Sequence, residues 1–287
     1  MAAPLPAPDP APSCRYGTPD DFAMHRIMTG AAAFLGGTAN VIMQLAHRPV
    51  AYGVLESTVD SGKLTVHPFK RLRTTLTYLA VALMGTEDER AAYRAAVNTS
   101  HRSIRSTPQS PVRYNAFDPE LQLWVAACLY QGVVDIERRM HGEWDEATAD
   151  VFHLFAARLG TSLQMRPELW PADRAAFAAY WRSGLAACSI DDRTRAYLTG
   201  LIDLTMLPRP LRLFAPLQRF VVTGLLPPEL RAEMQLPWSP RRERLLAVLL
   251  RTVGAVTRAM PSAVRLFPMN YFLADFRRRR RLGRPLV

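Results

Sequence analysis

An all-α fold is predicted by the spacing of apolar residues, by repeated helix-start signals and by the scarcity of strand-like segments. Apolar side chains recur three and four residues apart through most of the chain, which is the period of one helix face. Several Ser, Thr and Asp residues stand directly before proline or three positions before glutamate, as helix N-caps do. We predict one globular multi-helix domain over residues 18–275, an N-terminal tail of 1–17 and a basic C-terminal tail of 276–287.

The N-terminal tail is rich in proline and alanine and differs from a secretory signal. It has no basic residue ahead of an apolar run, and its alternating prolines prevent a helical segment, so we predict disorder. The uncharged stretch 27–46 approaches membrane-spanning length, but it contains three glycines, Asn40 and Gln44. We interpret it as a buried helix–loop–helix segment of a soluble protein.

Helix-start signals then order the remaining elements. An apolar helix over 76–84 follows a basic segment that begins at Lys70, and Thr86 with Glu89 forms a capping box for a helix to Ile104. Asp118 before proline starts a helix that continues to about residue 139. Further helices are predicted over 143–159, from 171–173 onward, over 191–207, from 227–229 and after the Ser239–Pro240 cap.

Charge and cysteine content limit the partners. The chain has 36 Lys+Arg and 25 Asp+Glu, a net charge of +11, yet its arginines are dispersed and it lacks zinc-finger and RNP-like patterns. We therefore predict no nucleic-acid partner. The one dense basic run, from Arg277 to Arg281, is interpreted as a solvated tail, with peripheral contact to anionic membrane as the alternative. Three cysteines without a CxxC pair favour a reducing, cytoplasmic location.

Chemistry is carried by histidines, arginines and carboxylates, because the sequence has no G-x-G-x-x-G, Walker, HExxH or G-x-S-x-G motif. His101 shares a face of the predicted helix with Val97 and Ile104, and Arg105 follows one turn later. An imidazole on an apolar face beside a cation suits an axial haem ligand, with the arginine on a propionate. A hydrogen-bonded core or surface histidine is the ordinary alternative.

Two other candidates precede His101. Arg71 and Thr75 are four residues apart, so they share a helix face and would present a guanidinium and a hydroxyl to one ligand. Cations are unfavourable at a helix start, which favours an anionic ligand over plain exposure to solvent. Glu56 lies between apolar residues and is a candidate buried base, with an exposed surface carboxylate as the alternative.

The order of several short motifs resembles one enzyme family. The chain resembles the oxygenases that include rubber oxygenase (latex clearing protein) and the fungal MpaB farnesyl-cleaving enzymes, and most closely their bacterial members of unassigned substrate. The likeness covers roughly residues 20 to 270. The motifs are LAHRPVAYGVLES at 45–57, RLRT at 71–74, LMGT at 83–86, His101, FDPELQLW at 117–124, LPPEL at 226–230 and LPWSP at 236–240.

The resemblance implies an all-α fold that holds a non-covalent b-type haem between its helices, with His101 as the proximal ligand of the iron. Arg105 matches the family arginine four residues after that ligand. Arg71 and Thr75 match the arginine and threonine that flank the family's haem cavity. The lysine that precedes this threonine in the family is absent, since Thr74 stands in its place.

The implied reaction is haem-dependent oxygenation of an apolar, alkene-bearing or isoprenoid-like small molecule by dioxygen. Glu56 corresponds to the glutamate proposed as the family's base, and Thr75 would line the reaction site. Two alternatives stay open: a helical protein that binds haem or lipid without turnover, and a basic helical adaptor that docks on membrane or acidic protein. Oxygen consumption with substrate would separate the first hypothesis from both.

Overall fold

The computed structural model describes residues 12–59 and 63–287 and confirms the all-α class. In these residues the chain forms helices and two isolated β-bridges, and no extended strand. Most of the predicted N-terminal tail, residues 1–11, lies outside the described residues. Residues 60–62 are likewise not described, and the described residues between Val54 and Val66, which the sequence marks as weakly strand-like, contain the end of one helix and no strand.

The first half of the fold runs from a short N-terminal helix to the long central helix α6. Its elements are α1 (Met24–Ile27), α2 (Gly30–Leu45), α3 (Arg48–Leu55), α4 (Pro68–Met84), α5 (Glu87–His101), α6 (Pro119–His141), α7 (Glu146–Ala156) and α8 (Arg158–Thr161).

The second half adds seven α-helices and two 3-10 helices, over Pro167–Leu169 and Arg209–Phe214. Its α-helices are α9 (Arg174–Ala186), α10 (Asp192–Ile202), α11 (Ala215–Leu225), α12 (Pro228–Glu233), α13 (Pro240–Ala259), α14 (Ser262–Arg265) and α15 (Met269–Arg281). Among the described helices, none combines the length and the apolar content that a bilayer crossing requires.

Helix α6 is the centre of the core, with α2 and α13 packed along it. Cys128 is completely buried, and the Trp124 ring stacks on Trp181 of α9 at 5.2 Å. The polar residues of the uncharged stretch are used here: the Asn40 amide donates to the Cys128 carbonyl at 2.7 Å, and the Trp124 indole donates to the Gln44 carbonyl at 3.2 Å. These bonds explain how a largely apolar α2 keeps polar groups inside the protein.

The predicted caps are confirmed, whereas several helix ends differ. Thr86 and Glu89 form both bonds of the capping box, and Asp118 and Ser239 accept from the first turns of α6 and α13. Helix α10 ends at Ile202 rather than near 207, because Leu204 takes a left-handed backbone conformation with φ 53°. A residue in this conformation ends a helix.

Helix α5 ends at His101, three residues before the predicted end. The chain then turns and pairs with a later segment: Ala116 N–H donates to the Ile104 carbonyl and Ser106 N–H donates to the Tyr114 carbonyl. This pairing satisfies the backbone groups that a longer helix would have used. Ile104 therefore does not share a helix face with His101.

The C-terminal arginine run is part of a packed helix and not a free tail. Helix α15 includes the whole run and packs along α4. Arg277 pairs with Glu89 at 2.6 Å, and Arg278 and Arg279 pair with Asp275 at 3.0 and 2.7 Å. The boundary predicted at residue 275 thus falls inside α15, because carboxylates of the fold neutralise three of the five arginines.

Candidate functional site

Helices α4 and α5 form an antiparallel hairpin that places the start of α4 beside the end of α5. The Gly85–Thr86 link turns the chain, and the Thr86 capping box starts α5 there. Near the middle of the pair, the Tyr93 hydroxyl donates to the Thr74 carbonyl at 2.7 Å. This bond fixes the register that brings Arg71 of α4 near His101 of α5.

His101 is a half-buried imidazole that stays neutral. Burial lowers its pKa to about 4, and the positive charge of Arg71 acts in the same direction. The Phe117 ring lies edge-to-face to the imidazole at 6.3 Å. The buried Nδ1 atom has no hydrogen-bond partner within the described part of the chain. A neutral ring has a free nitrogen lone pair, which is the form that binds a metal.

The charge of Arg71 reaches three side chains from two helices. It opposes protonation of His101, and it acts to lower the pKa of Tyr93 on α5 and of Tyr197 on α10. Burial has the larger effect on these two tyrosines, so the pKa of each is raised overall. Tyr197 of α10 therefore lies within range of the Arg71 charge, an arrangement that sequence reasoning missed. Its position 126 residues after Arg71 offered no local signal, since only the packing of α10 brings the two together.

One face of α5 carries a line of buried polar atoms without partners among the described residues. These atoms are Arg94 Nε, Asn98 Oδ1 and His101 Nδ1. Their spacing of four and three residues puts them on the same side of the helix. Buried polar groups are nearly always hydrogen-bonded in native proteins, so such a line indicates a bound polar group or water.

Thr75 lies within helix α4 of the candidate site, whereas Arg105 lies beyond the end of α5. Thr75 is half-buried on α4, one turn after Arg71. Arg105 is exposed and forms an isolated bridge with Asn115 in the segment after α5. It therefore does not follow His101 along a helix face.

Glu56 ends α3 and is anchored to the loop between α5 and α6. Its Oε2 atom accepts from the Ser110 hydroxyl at 2.6 Å and from the Tyr114 hydroxyl at 2.8 Å, and its Oε1 lies 3.8 Å from Arg193. The side chain is 21% exposed. Because the same loop continues to Phe117, Glu56 supports the segment that contacts His101 rather than contacting that imidazole directly.

His153 is a core residue of a different region. It is 1% exposed, its Nε2 lies 2.8 Å from the Pro171 carbonyl oxygen, and the rings of Tyr130, Trp170 and Phe177 surround it at 5.3 to 5.9 Å. Burial lowers its pKa. Its Nδ1, like that of His101, is buried without a partner among the described residues, but its Nε2 contact and the surrounding rings place this imidazole in the aromatic core.

Two cavities lie away from His101. One, of about 780 Å³, is bordered by α1, the α4–α5 link and arginines that include Arg90 and Arg158. The other, of about 360 Å³, lies among α2, α6, α11 and α12. The described residues contain no group of three or more His, Cys, Asp or Glu side chains placed to hold a metal ion. The candidate site is thus defined by His101, Arg71 and their neighbours.

Comparison with known proteins identifies the family. Residues 25–258 match the family model described as ER-bound oxygenase mpaB/B'/rubber oxygenase, catalytic domain. Uncharacterized proteins of Mycobacterium tuberculosis and of Mycobacterium bovis are each 51% identical over 250 residues, which is 87% of this chain and 98% of the relative. No solved structure matches the chain. The chain belongs to the mpaB/rubber oxygenase catalytic-domain family, as its motifs predicted.

Proposed function

We propose that this protein is a haem b-dependent oxygenase in which His101 is the axial ligand of the iron. The observation that carries the proposal is the state of His101: a half-buried, neutral imidazole whose buried Nδ1 has no partner in residues 12–59 and 63–287, in a chain of an oxygenase family. One imidazole suffices to hold a haem iron, so a site of this kind needs no cluster of metal ligands.

The neighbouring residues suit a haem chemically. Arg71, which is exposed, supplies a cation whose charge acts on His101, as a haem propionate requires, and Arg105, also exposed, is a second candidate for that role. Asn98 offers, one turn before His101, a buried amide oxygen that no described residue pairs with. A bound haem would supply the redox chemistry with dioxygen, while these side chains would bind and orient it.

The substrate we propose is an apolar small molecule with an electron-rich carbon, such as an alkene or isoprenoid. Thr75 would line the reaction site from α4. Glu56 would act as base only if the loop that holds it moves, because Ser110 and Tyr114 both donate to its Oε2. Removal of those two donors by Ser110→Ala with Tyr114→Phe tests this role separately from haem binding.

The first experiment is the absorbance spectrum of protein expressed with added haem, compared with His101→Ala. We expect a Soret band in the parent that is lost or shifted in the variant. His67→Ala is the matched control, since His67 is an exposed histidine at the N-cap of α4 that makes no side-chain cap bond. His101→Gly adds a rescue test, because free imidazole should enter the space and restore the band.

Two outcomes would overturn the assignment. A parent that takes up no haem would exclude haem dependence, and a His101→Ala spectrum equal to the parent's would exclude His101 as the ligand. Circular dichroism on each variant separates loss of haem from loss of fold. Oxygen uptake with apolar alkenes then distinguishes an oxygenase from a protein that binds haem without turnover.

A further inference from the structure

The outer face of α13 is apolar where a surface helix is normally polar. Leu246 and Leu250 point into the core and are completely buried. On the opposite side, Leu245, Val248 and Val256 are 62%, 64% and 51% exposed. These three residues are spaced by three and eight, so they form one strip along the helix. We call this strip the outer face of α13.

Arginines follow the strip along one edge. Arg244, Arg251 and Arg258 are exposed and seven residues apart, and seven residues make about two helical turns, so they lie on one line beside the apolar strip. The sequence has no Asp or Glu from residue 244 to residue 274. The outer face of α13 therefore combines apolar side chains with cations, and this helix offers no carboxylate there to neutralise them.

We propose that the outer face of α13 binds the surface of an anionic membrane, with the helix lying in the interfacial plane. A helix with an apolar strip and an arginine edge inserts the strip at the headgroup–acyl boundary and keeps its cations on lipid phosphates. The long arginine side chains reach the headgroups while their methylene stems cover apolar surface. The net charge of +11 adds long-range attraction to such a surface.

A second copy of the chain fits this face less well. A symmetric contact would bring the arginines of both α13 helices to one interface without a carboxylate of that face to pair with them, and juxtaposed like charges oppose association. The C-terminal arginine run is also a weaker lipid surface, because Glu89 and Asp275 already neutralise Arg277, Arg278 and Arg279. The membrane contact that the sequence suggested for Arg277 to Arg281 is therefore better assigned to the outer face of α13.

Vesicle flotation of the full chain tests the proposal. The probes are vesicles of phosphatidylcholine alone and of an equal mixture of phosphatidylcholine and phosphatidylglycerol, at low and high salt. We expect binding to the mixed vesicles that weakens at high salt. Arg244→Gln with Arg251→Gln should lower the partition coefficient about 30-fold, from roughly fivefold for each arginine.

The matched control is Arg280→Gln with Arg281→Gln, which removes the same charge from exposed positions at the end of α15. We expect it to lower binding by less than about threefold, because surface attraction fades within a Debye length. Leu245→Gln with Val248→Gln should lower binding about tenfold through loss of apolar insertion. All six positions are exposed, so unfolding curves should match the parent's.

Several results would overturn the proposal. The proposal is wrong if the parent does not float with the mixed vesicles, or if it binds equally to both kinds of vesicle. A loss in the Arg280/Arg281 variant as large as in the Arg244/Arg251 variant would move the contact to the C-terminal run. A concentration-dependent dimer in sedimentation that disappears in the Leu245/Val248 variant would identify a second copy as the occupant.

Discussion

Glu137 is a buried acid whose removal should stabilise the protein in a pH-dependent way. It lies on α6, is 3% exposed, and its Oε2 is 3.7 Å from His141 Nε2 one turn later. Burial raises the pKa of Glu137 to about 8, although the charges of Arg258 and Arg265 act in the opposite direction. The carboxyl is thus protonated in the folded protein at pH 7, whereas in the unfolded chain it is ionised.

Proton linkage determines whether Glu137 raises or lowers the free energy of unfolding as pH increases. Between pH 4.5 and pH 8 the folded state holds a proton that the unfolded state has released, so the free energy of unfolding falls as pH rises. With 1.36 kcal/mol for each pKa unit, the cost of Glu137 is about 1 kcal/mol at pH 5 and about 3 kcal/mol at pH 7. Above pH 8 both states are ionised and the cost stays constant. Glu137→Gln removes this cost and keeps the shape of the side chain.

The assay is urea unfolding of the parent and Glu137→Gln at pH 5, 6, 7 and 8. We expect the variant's advantage to grow by about 2 kcal/mol from pH 5 to pH 7, because contributions of the other groups cancel in the difference. Glu168→Gln, at an exposed position in the Pro167–Leu169 helix, is the control and should show no such trend. Parallel pH profiles for the parent and Glu137→Gln would refute a neutral buried Glu137.

Two further predictions concern helix packing and capping. Gly254→Ala should lower the free energy of unfolding by about 3 kcal/mol in urea titration, because the new Cβ would lie 2.2 Å from the Met140 carbonyl oxygen. Its control is Gly37→Ala on an open face of α2, which should raise the free energy of unfolding by about 0.5 to 1 kcal/mol. Thr86→Ala should cost about 1 kcal/mol through loss of the α5 cap, and thermal unfolding checks it against Thr99→Ala, an exposed α5 position where little change is expected. Equal changes in stability for the two glycine variants would contradict the packing explanation, and equal changes for the two threonine variants would contradict the capping explanation.

Helix starts were predictable because an N-cap is a local interaction. Thr86 with Glu89, Asp118 before Pro119, and Ser239 before Pro240 all act within four residues, and each begins a helix where the sequence placed it. These signals depend on the backbone's own unsatisfied amides and on residue spacing, which are present in the sequence itself.

Helix ends and charge roles were less predictable because they depend on distant partners. Helix α5 ends at His101 since Ile104 bonds to Ala116, and the run from Arg277 continues α15 since Glu89, 188 residues earlier, pairs with it. Tyr197 of α10 likewise comes within range of the Arg71 charge only through tertiary packing. The spacing of residues along the chain does not reveal contacts between residues that are far apart in sequence.

By itself, the sequence determined the all-α class, the capped starts of α5, α6 and α13, the family and the identity of His101 as the candidate ligand. These follow from local capping, from the period of the apolar residues and from motifs in a fixed order. Only the tertiary structure decided that His101 is neutral beside Arg71, that Glu56 is held by a loop, and that α13 turns an apolar face outward. Burial, proximity of charges and exposure are properties of the packed chain, since each is set by residues far away in sequence.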